Sequence, residues 1–426
     1  MLFSPKFESL RMRRSDESKH FLTVGDTGVG KSTVIRQLLH YAQACGDTCV
    51  VLDSKLEFIP EFYDPARGDK ILSPKDERCI WWDFGNEVTD EVDAIAASRA
   101  MYPPLPGNAQ GKWFEDHACR IAAYLWTYSN PRPTCEQFGR WLTDPLGEIF
   151  PRLKGSEHEQ TLNKNAANQL AGLLGTMNQA GMALRTMPRD AELAHRERFT
   201  IRGWAQDPQG WLFLPNTAET RDALRPLQSG WVDMCIYRIM SSPQRTKRVW
   251  IVLDELDSLG MLSKLQDAMT QLRSTGHPMV LGIQNLCQLQ DRYGLQSDTI
   301  FSQAYTKIIL AVSEPKSAKT LEQLIGEVEI RRYRESRTGS IFGRNDRNNF
   351  SGPEDIRKPL IMASEIQGLP DLTGYFIQRP ADDKIGLHVV PVKLPWQRPI
   401  FRHRPLIERS IPPMQAPSTT PKEAAS

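Results

Sequence analysis

A chain of 426 residues with 40% hydrophobic and 24% charged content is too apolar to be disordered throughout and long enough for more than one domain. Its formal net charge of +2 excludes a uniformly basic, polyanion-coating surface, while leaving room for basic residues confined to a channel. No run approaches the ~18 consecutive apolar residues of a spanning helix, and the opening MLFSPKFESLRMRR has no signal-peptide core, so a cytoplasmic chain, or a peripheral one at most, is expected.

In chain order, Phe21 to Val24 reads as a short buried strand, followed by a glycine-rich turn and then KSTVIRQLLHYAQACG. Val34, Ile35, Leu38, Leu39 and Ala42 recur at helical spacing, and Gly46 is a natural stop. A second apolar run, Cys49 to Leu52, ends in Asp53, as expected of a strand covered on both faces.

From about Asp90 to Arg196 the texture becomes helical, with stretches such as KWFEDHACRIAAYLWTY broken by YPPLPGN and SNPRPT. Trp113, Phe114 and Trp126 fall at helical spacing there and read as core aromatics. Strand signals return at Trp211 to Pro215, Val249 to Leu253, Met279 to Ile283 and Lys307 to Val312, alternating with helices. The fold class is therefore α/β, a doubly wound, mostly parallel sheet with an inserted all-α domain. Residues 1–89 and 197–410 are expected to form the nucleotide-binding domain, and 90–196 the insert. Arg331 to Asn349 and the tail from 411 to 426 read as loop or disorder. Seven cysteines without a CxxC pair fit a reducing compartment and argue against a metal cluster.

Residues 25–32, GDTGVGKS, match G-x-x-x-x-G-K-[ST] between a strand and a helix. Gly25, Asp26, Thr27, Gly28, Val29, Gly30, Lys31, Ser32 and Thr33 are thus the expected nucleotide contacts. Glycines allow the backbone N–H groups to wrap an anion while the next helix turns its positive end towards it. Lys31 would meet the β- and γ-phosphates, and Ser32 would hold Mg²⁺. ATP and Mg²⁺ are the expected cofactors.

VWIVLDEL places Asp254 and Glu255 at the carboxyl end of an apolar strand, where an aspartate can hold Mg²⁺ and a glutamate can polarise water. The alternative is an acidic pair capping the next helix. Gln284, after MVLGI, shares that sheet edge and suits either a phosphate contact or a backbone one. Arg273 lies off the stripe Leu262, Leu265, Met269 and Leu272, and by spacing alone reads as a solvated arginine. Arg331, Arg332, Arg334 and Arg337, interleaved with Tyr333, suit phosphate contact and base stacking, or equally an exposed charged loop.

Together GDTGVGKS, VWIVLDEL, QLRSTGHPMVLGIQN at 271–285 and GLPDLTGYF at 368–376 resemble the TraD/TrwB-type conjugative coupling proteins from about His20 to Lys393. The resemblance implies a RecA-like motor, a homohexameric ring, and ATP hydrolysis driving export of single-stranded DNA bound to a relaxase through a type IV secretion system. It makes Arg273 a candidate arginine finger reaching a neighbouring subunit, and Gln284 a γ-phosphate sensor. The chain departs from the family where Asp26 replaces a commonly small residue, and where membrane-spanning helices usually precede the phosphate loop. A nucleotide-gated platform recruiting relaxase or effector, and a secretion or assembly ATPase without a DNA role, are the competing readings.

Overall fold

The computed structural model describes residues 14–103, 109–162, 167–242, 247–338, 347–378, 387–396 and 398–410. The strands are β1 (Phe21–Val24), β2 (Thr48–Asp53), β3 (Lys70–Ile71), β4 (Trp81–Trp82), β5 (Arg198–Phe199), β6 (Leu212–Pro215), β7 (Val249–Leu253) and β8 (Met279–Ile283). Five more follow: β9 (Thr306–Ile309), β10 (Glu327–Thr338), β11 (Arg347–Pro359), β12 (Thr373–Gln378) and β13 (His388–Lys393).

The main sheet runs β13-β12-β9-β1-β8-β7-β2-β6-β3. From β9 to β3 every pairing is parallel, and β12 and β13 close one edge as an antiparallel hairpin. Parallel strands need crossovers, and these helices cover both faces, which is why the strands read as unbroken apolar runs. Side chains alternate between two cores. Leu22, Val50, Ile251 and Leu281 enter one, while Phe21, Val51, Trp250 and Val280 enter the other. The helix Lys31–Ala44 buries Val34, Ile35, Leu38, Leu39 and Ala42 in the second core. Each such side chain contributes roughly 1.5–3 kcal/mol, the alanine less.

Between β4 and β5 the described residues form helices, including Glu91–Met101, Ala109–Tyr128, Cys135–Thr143 and Ala167–Leu184. Trp126 is fully buried and stacks on Phe84 at 3.9 Å between ring centroids, whereas Trp113 is 36% exposed. The helices share one continuous core with the first face of the sheet. At their base, β4 pairs in parallel with β5. Beside it, buried Glu87 accepts from Trp82 Nε1 at 2.7 Å and from the Ile201 N–H at 2.6 Å. No described helix is long and apolar enough to cross a membrane.

One expectation fails. Much of the segment from Arg331 to Asn349 is not a loop: β10 and β11 pair as a long antiparallel ribbon with a register irregularity between Arg332 and Arg334. This two-stranded ribbon lies outside the main sheet and is held by backbone pairing, and past Ile330 its sequence lacks the apolar alternation that marks a strand. Arg331, Arg332, Arg334 and Arg337 lie on β10 by backbone, and their side chains are outside the described residues, as is the tail 411–426.

The central strands leave no space at Gly282. A Cβ there would stand 2.0 Å from the Asp254 carbonyl oxygen, so the glycine sets how closely β8 meets the end of β7. Gly282→Ala is expected to cost about 2–4 kcal/mol, read as a lower Tm, because backbone rather than a movable side chain is in the way. An unchanged Tm would contradict this close approach.

Candidate nucleotide-binding site

The phosphate loop leaves β1 between the ends of its two neighbours. Gly25 N–H donates to Ile283 O at 3.2 Å, and Asp26 N–H to Ala311 O at 2.8 Å. A Cβ on Gly25 would lie 2.8 Å from Leu310 Cβ, so this glycine answers a close approach. Gly28 and Gly30 take φ of 90° and 118°, a left-handed backbone region that side chains disfavour. The N–H groups of Gly28, Val29 and Gly30 meet no acceptor among the described residues. They stand at the amino end of the helix Lys31–Ala44, a ready anion cradle.

Lys31 is buried and donates to the carbonyls of Gly25 and Asp26, the latter at 2.7 Å. Burial, with Lys55 nearby, lowers its pKa to about 8. Asp26 does not crowd the cradle. Its Oδ2 accepts from the Ser313 N–H at 2.7 Å and from the Ser313 hydroxyl, so the carboxylate is turned towards the segment after β9.

The sheet order puts β8 between the phosphate-loop strand and β7, bringing three strand ends together. Thr27 Oγ1 donates to Gln284 Oε1 at 2.9 Å, and Gln284 Nε2 donates to Glu255 Oε1 at 2.8 Å. Gln284 therefore bridges the loop and the acidic pair, and its amide orientation follows from these two partners. Asp254 is 2% exposed, and its Oδ2 meets no hydrogen-bond partner among the described residues. Burial first, then the negative charge of Asp53, pushes its pKa up to about 7.

Arg273 is not part of this cluster. It lies in the last turn of the helix Leu265–Thr275, before the amino end of β8, and Gln284 follows the carboxyl end. A strand length of roughly 15 Å separates those edges. Its Nη1 donates to Tyr305 Oη at 2.9 Å, with the guanidinium 4.4 Å from that ring's centroid. His20 fixes this helix on the sheet: its ring bonds Met269 O at 2.8 Å and accepts from the Met279 N–H at 3.1 Å.

A family profile described as the type IV secretion-system coupling protein DNA-binding domain matches residues 6–394. The chain belongs to this coupling-protein family. It is 29% identical to the coupling protein TraD of Escherichia coli (strain K12) over 375 residues, covering 85% of this chain and 51% of TraD. It thus spans about half the length of that curated relative. Among solved structures, the conjugative coupling protein TrwBdeltaN70 in its unbound monoclinic form superposes with a TM-score of 0.80 at 27% identity, covering 94% of this chain and 89% of that one. TrwB in complex with ADP and Mg²⁺ gives 0.78 at 27% identity, covering 94% and 90%. The α/β P-loop NTPase fold, RecA-like and mostly parallel, is shared with these coupling proteins.

Sequence reasoning missed two contributors to this coupling-protein site. Arg221, at the start of the helix Arg221–Ser241, donates from Nη2 to Glu255 Oε2 at 3.0 Å. No local pattern joins positions on separate strand-end loops. Leu372, within GLPDLTGYF, donates its N–H to Val29 O at 2.9 Å and packs over Gly30. Its φ of 58° is unusual for leucine.

Proposed function

We propose that this chain is an ATP-driven motor, working as a homohexameric ring, that moves single-stranded DNA with its bound relaxase towards a type IV secretion channel. The observation carrying this reading is the bridge Thr27–Gln284–Glu255, which ties the anion cradle to an acidic strand end. A cradle alone binds nucleotide. A cradle coupled to a glutamate that can polarise water hydrolyses it.

ATP would place its phosphates over the N–H groups of Gly28 to Ser32, and Lys31 would exchange the Gly25 and Asp26 carbonyls for the β- and γ-phosphates. The residues present fit Mg²⁺: Ser32 supplies a hydroxyl at the helix start, and Asp254 a buried oxygen lacking a partner. The ion, when bound, neutralises charge developing between the phosphates. Gln284 would report the γ-phosphate to Glu255. Arg273, on the far sheet edge, would act on a neighbour's nucleotide, with Tyr305 holding its guanidinium ready. TrwB's complexes with ADP and Mg²⁺ and with a non-hydrolysable ATP analogue support nucleotide use here. The helices of 90–196 are proposed to be the substrate-facing domain, with the β10–β11 ribbon and its Arg331, Arg332, Arg334 and Arg337 a further DNA-contact candidate.

The deciding experiment is ATPase rate against protein concentration, with and without single-stranded DNA, at two salt levels. Cooperative, DNA-stimulated turnover that falls with salt is expected. Flat, DNA-independent turnover would overturn the motor.

Asp254 adds a pH signature. Protons compete with the metal below pH 7, so apparent Mg²⁺ affinity is expected to fall towards tenfold per pH unit there. In metal-free protein the raised pKa stabilises the fold at acid pH, and that contribution is lost as pH rises through about 7. Asp254→Asn should flatten the Tm difference between pH 5 and 8. A parallel Tm profile in wild type and variant would contradict the assignment.

Arg273→Ala is expected to keep nucleotide affinity and lose at least ~30-fold in turnover, about 2 kcal/mol of transition-state stabilisation. In mixed rings, turnover should return at interfaces where a wild-type subunit supplies the arginine. Mixing that restores nothing would remove the role.

A further inference from the structure

We propose that Arg221 is a positioning residue that clamps Glu255, and that the helix behind it carries the state of the helical region 90–196 to that clamp. This rests on the motor reading above and names its regulation.

Glu255 has both carboxylate oxygens engaged, Oε1 by Gln284 at 2.8 Å and Oε2 by Arg221 at 3.0 Å. A general base held between two donors is turned away from water; releasing one frees it. Arg221 is built for release. Its side chain is 30% exposed against 9% for Glu255, and its buried Nε meets no partner among the described residues. A guanidinium with one donor unmet is held less firmly than a fully satisfied one.

The helix Arg221–Ser241 contains Pro226. Proline has no N–H to return to residue 222, so the first turn, carrying Arg221, is mechanically separable from the rest. A cleft of about 270 Å³ opens at the break itself, lined by Met101, Tyr102, Arg225, Pro226, Gly260 and Met261.

Beyond the proline the helix is firmly attached. Ser229 Oγ accepts from the Gly260 N–H at 2.7 Å, and Asp233 from the Ser263 and Lys264 N–H groups at 3.2 and 3.0 Å, which ties it to the lead-in of the Arg273 helix. Near its end, Arg238 grips Asp93 through Nη1 at 2.5 Å and Nη2 at 3.2 Å. Asp93 lies in the first helix of the helical region. One element thus touches the water-polarising carboxylate, the lead-in of the arginine helix and the helical region, with a break beside the carboxylate.

The test measures turnover of the full chain with and without a single-stranded oligonucleotide, in wild type, Arg221→Ala and Arg221→Lys. Arg221→Ala is expected to raise the DNA-free rate about fivefold and bring the ratio of stimulated to unstimulated rate near one; Arg221→Lys should fall between. If both rates drop by one factor and the ratio stays, the clamp is overturned and Arg221 is a passive partner. If wild type shows no stimulation, the motor reading fails separately, and the clamp is judged on the DNA-free rate: a rise supports it, no rise overturns it. Affinity for a fluorescent ATP analogue monitors integrity, and Arg221→Lys decides if the alanine variant does not fold.

Discussion

Lys31→Ala is expected to weaken ATP binding at least ~100-fold, about 2.7 kcal/mol. The ammonium is a buried cation at the head of the cradle, and burial makes a charge-assisted bond to phosphate worth more than a surface one. In the free protein it donates to the carbonyls of Gly25 and Asp26, bonds that ATP binding exchanges for phosphate, so their loss in alanine offsets only a small part of the lost phosphate contact. Titration of a fluorescent ATP analogue into wild type and variant measures the difference, and affinity within twofold of wild type would remove Lys31 from the site.

Glu255→Gln separates binding from chemistry. The amide matches the carboxylate in shape and can still meet Gln284, so ATP affinity should change less than about threefold. It cannot accept a proton from water, so turnover is expected to fall at least ~100-fold, again near 2.7 kcal/mol. Single-turnover hydrolysis at saturating ATP gives the chemical step directly. A variant that turns over at more than a tenth of the wild-type rate would move the general base elsewhere.

Most of this site was legible wherever the chemistry is local. GDTGVGKS carries its own geometry, because two glycines supply a backbone conformation other residues avoid and the third a close approach. VWIVLDEL and MVLGI announced buried strands because a parallel strand covered on both faces must be apolar throughout. The ribbon β10–β11 stayed hidden for the opposite reason, since its pairing is satisfied by backbone and leaves little apolar imprint. β3, β4 and β5 are two-residue pairings, too short for any periodicity. Arg221 was illegible because its partner is contributed by a different strand end, and only the strand order makes them neighbours. Arg273 shows a further limit: spacing placed it off the apolar stripe, yet only the three-dimensional fold puts it on the edge away from its own phosphate loop.

The order of strands also bears on the protein's birth. Among the described strands β1 precedes its partners β8 and β9 in the chain, and the loop it carries is braced by Leu372 over Gly30. A nascent chain that has emitted the phosphate loop, and even β2, has no neighbour for β1. Competence to hold nucleotide therefore arrives only after β8, β9 and the closing hairpin have all emerged from the ribosome. A chain truncated before Leu372 would carry the whole nucleotide signature in its sequence and lack the brace that gives it shape.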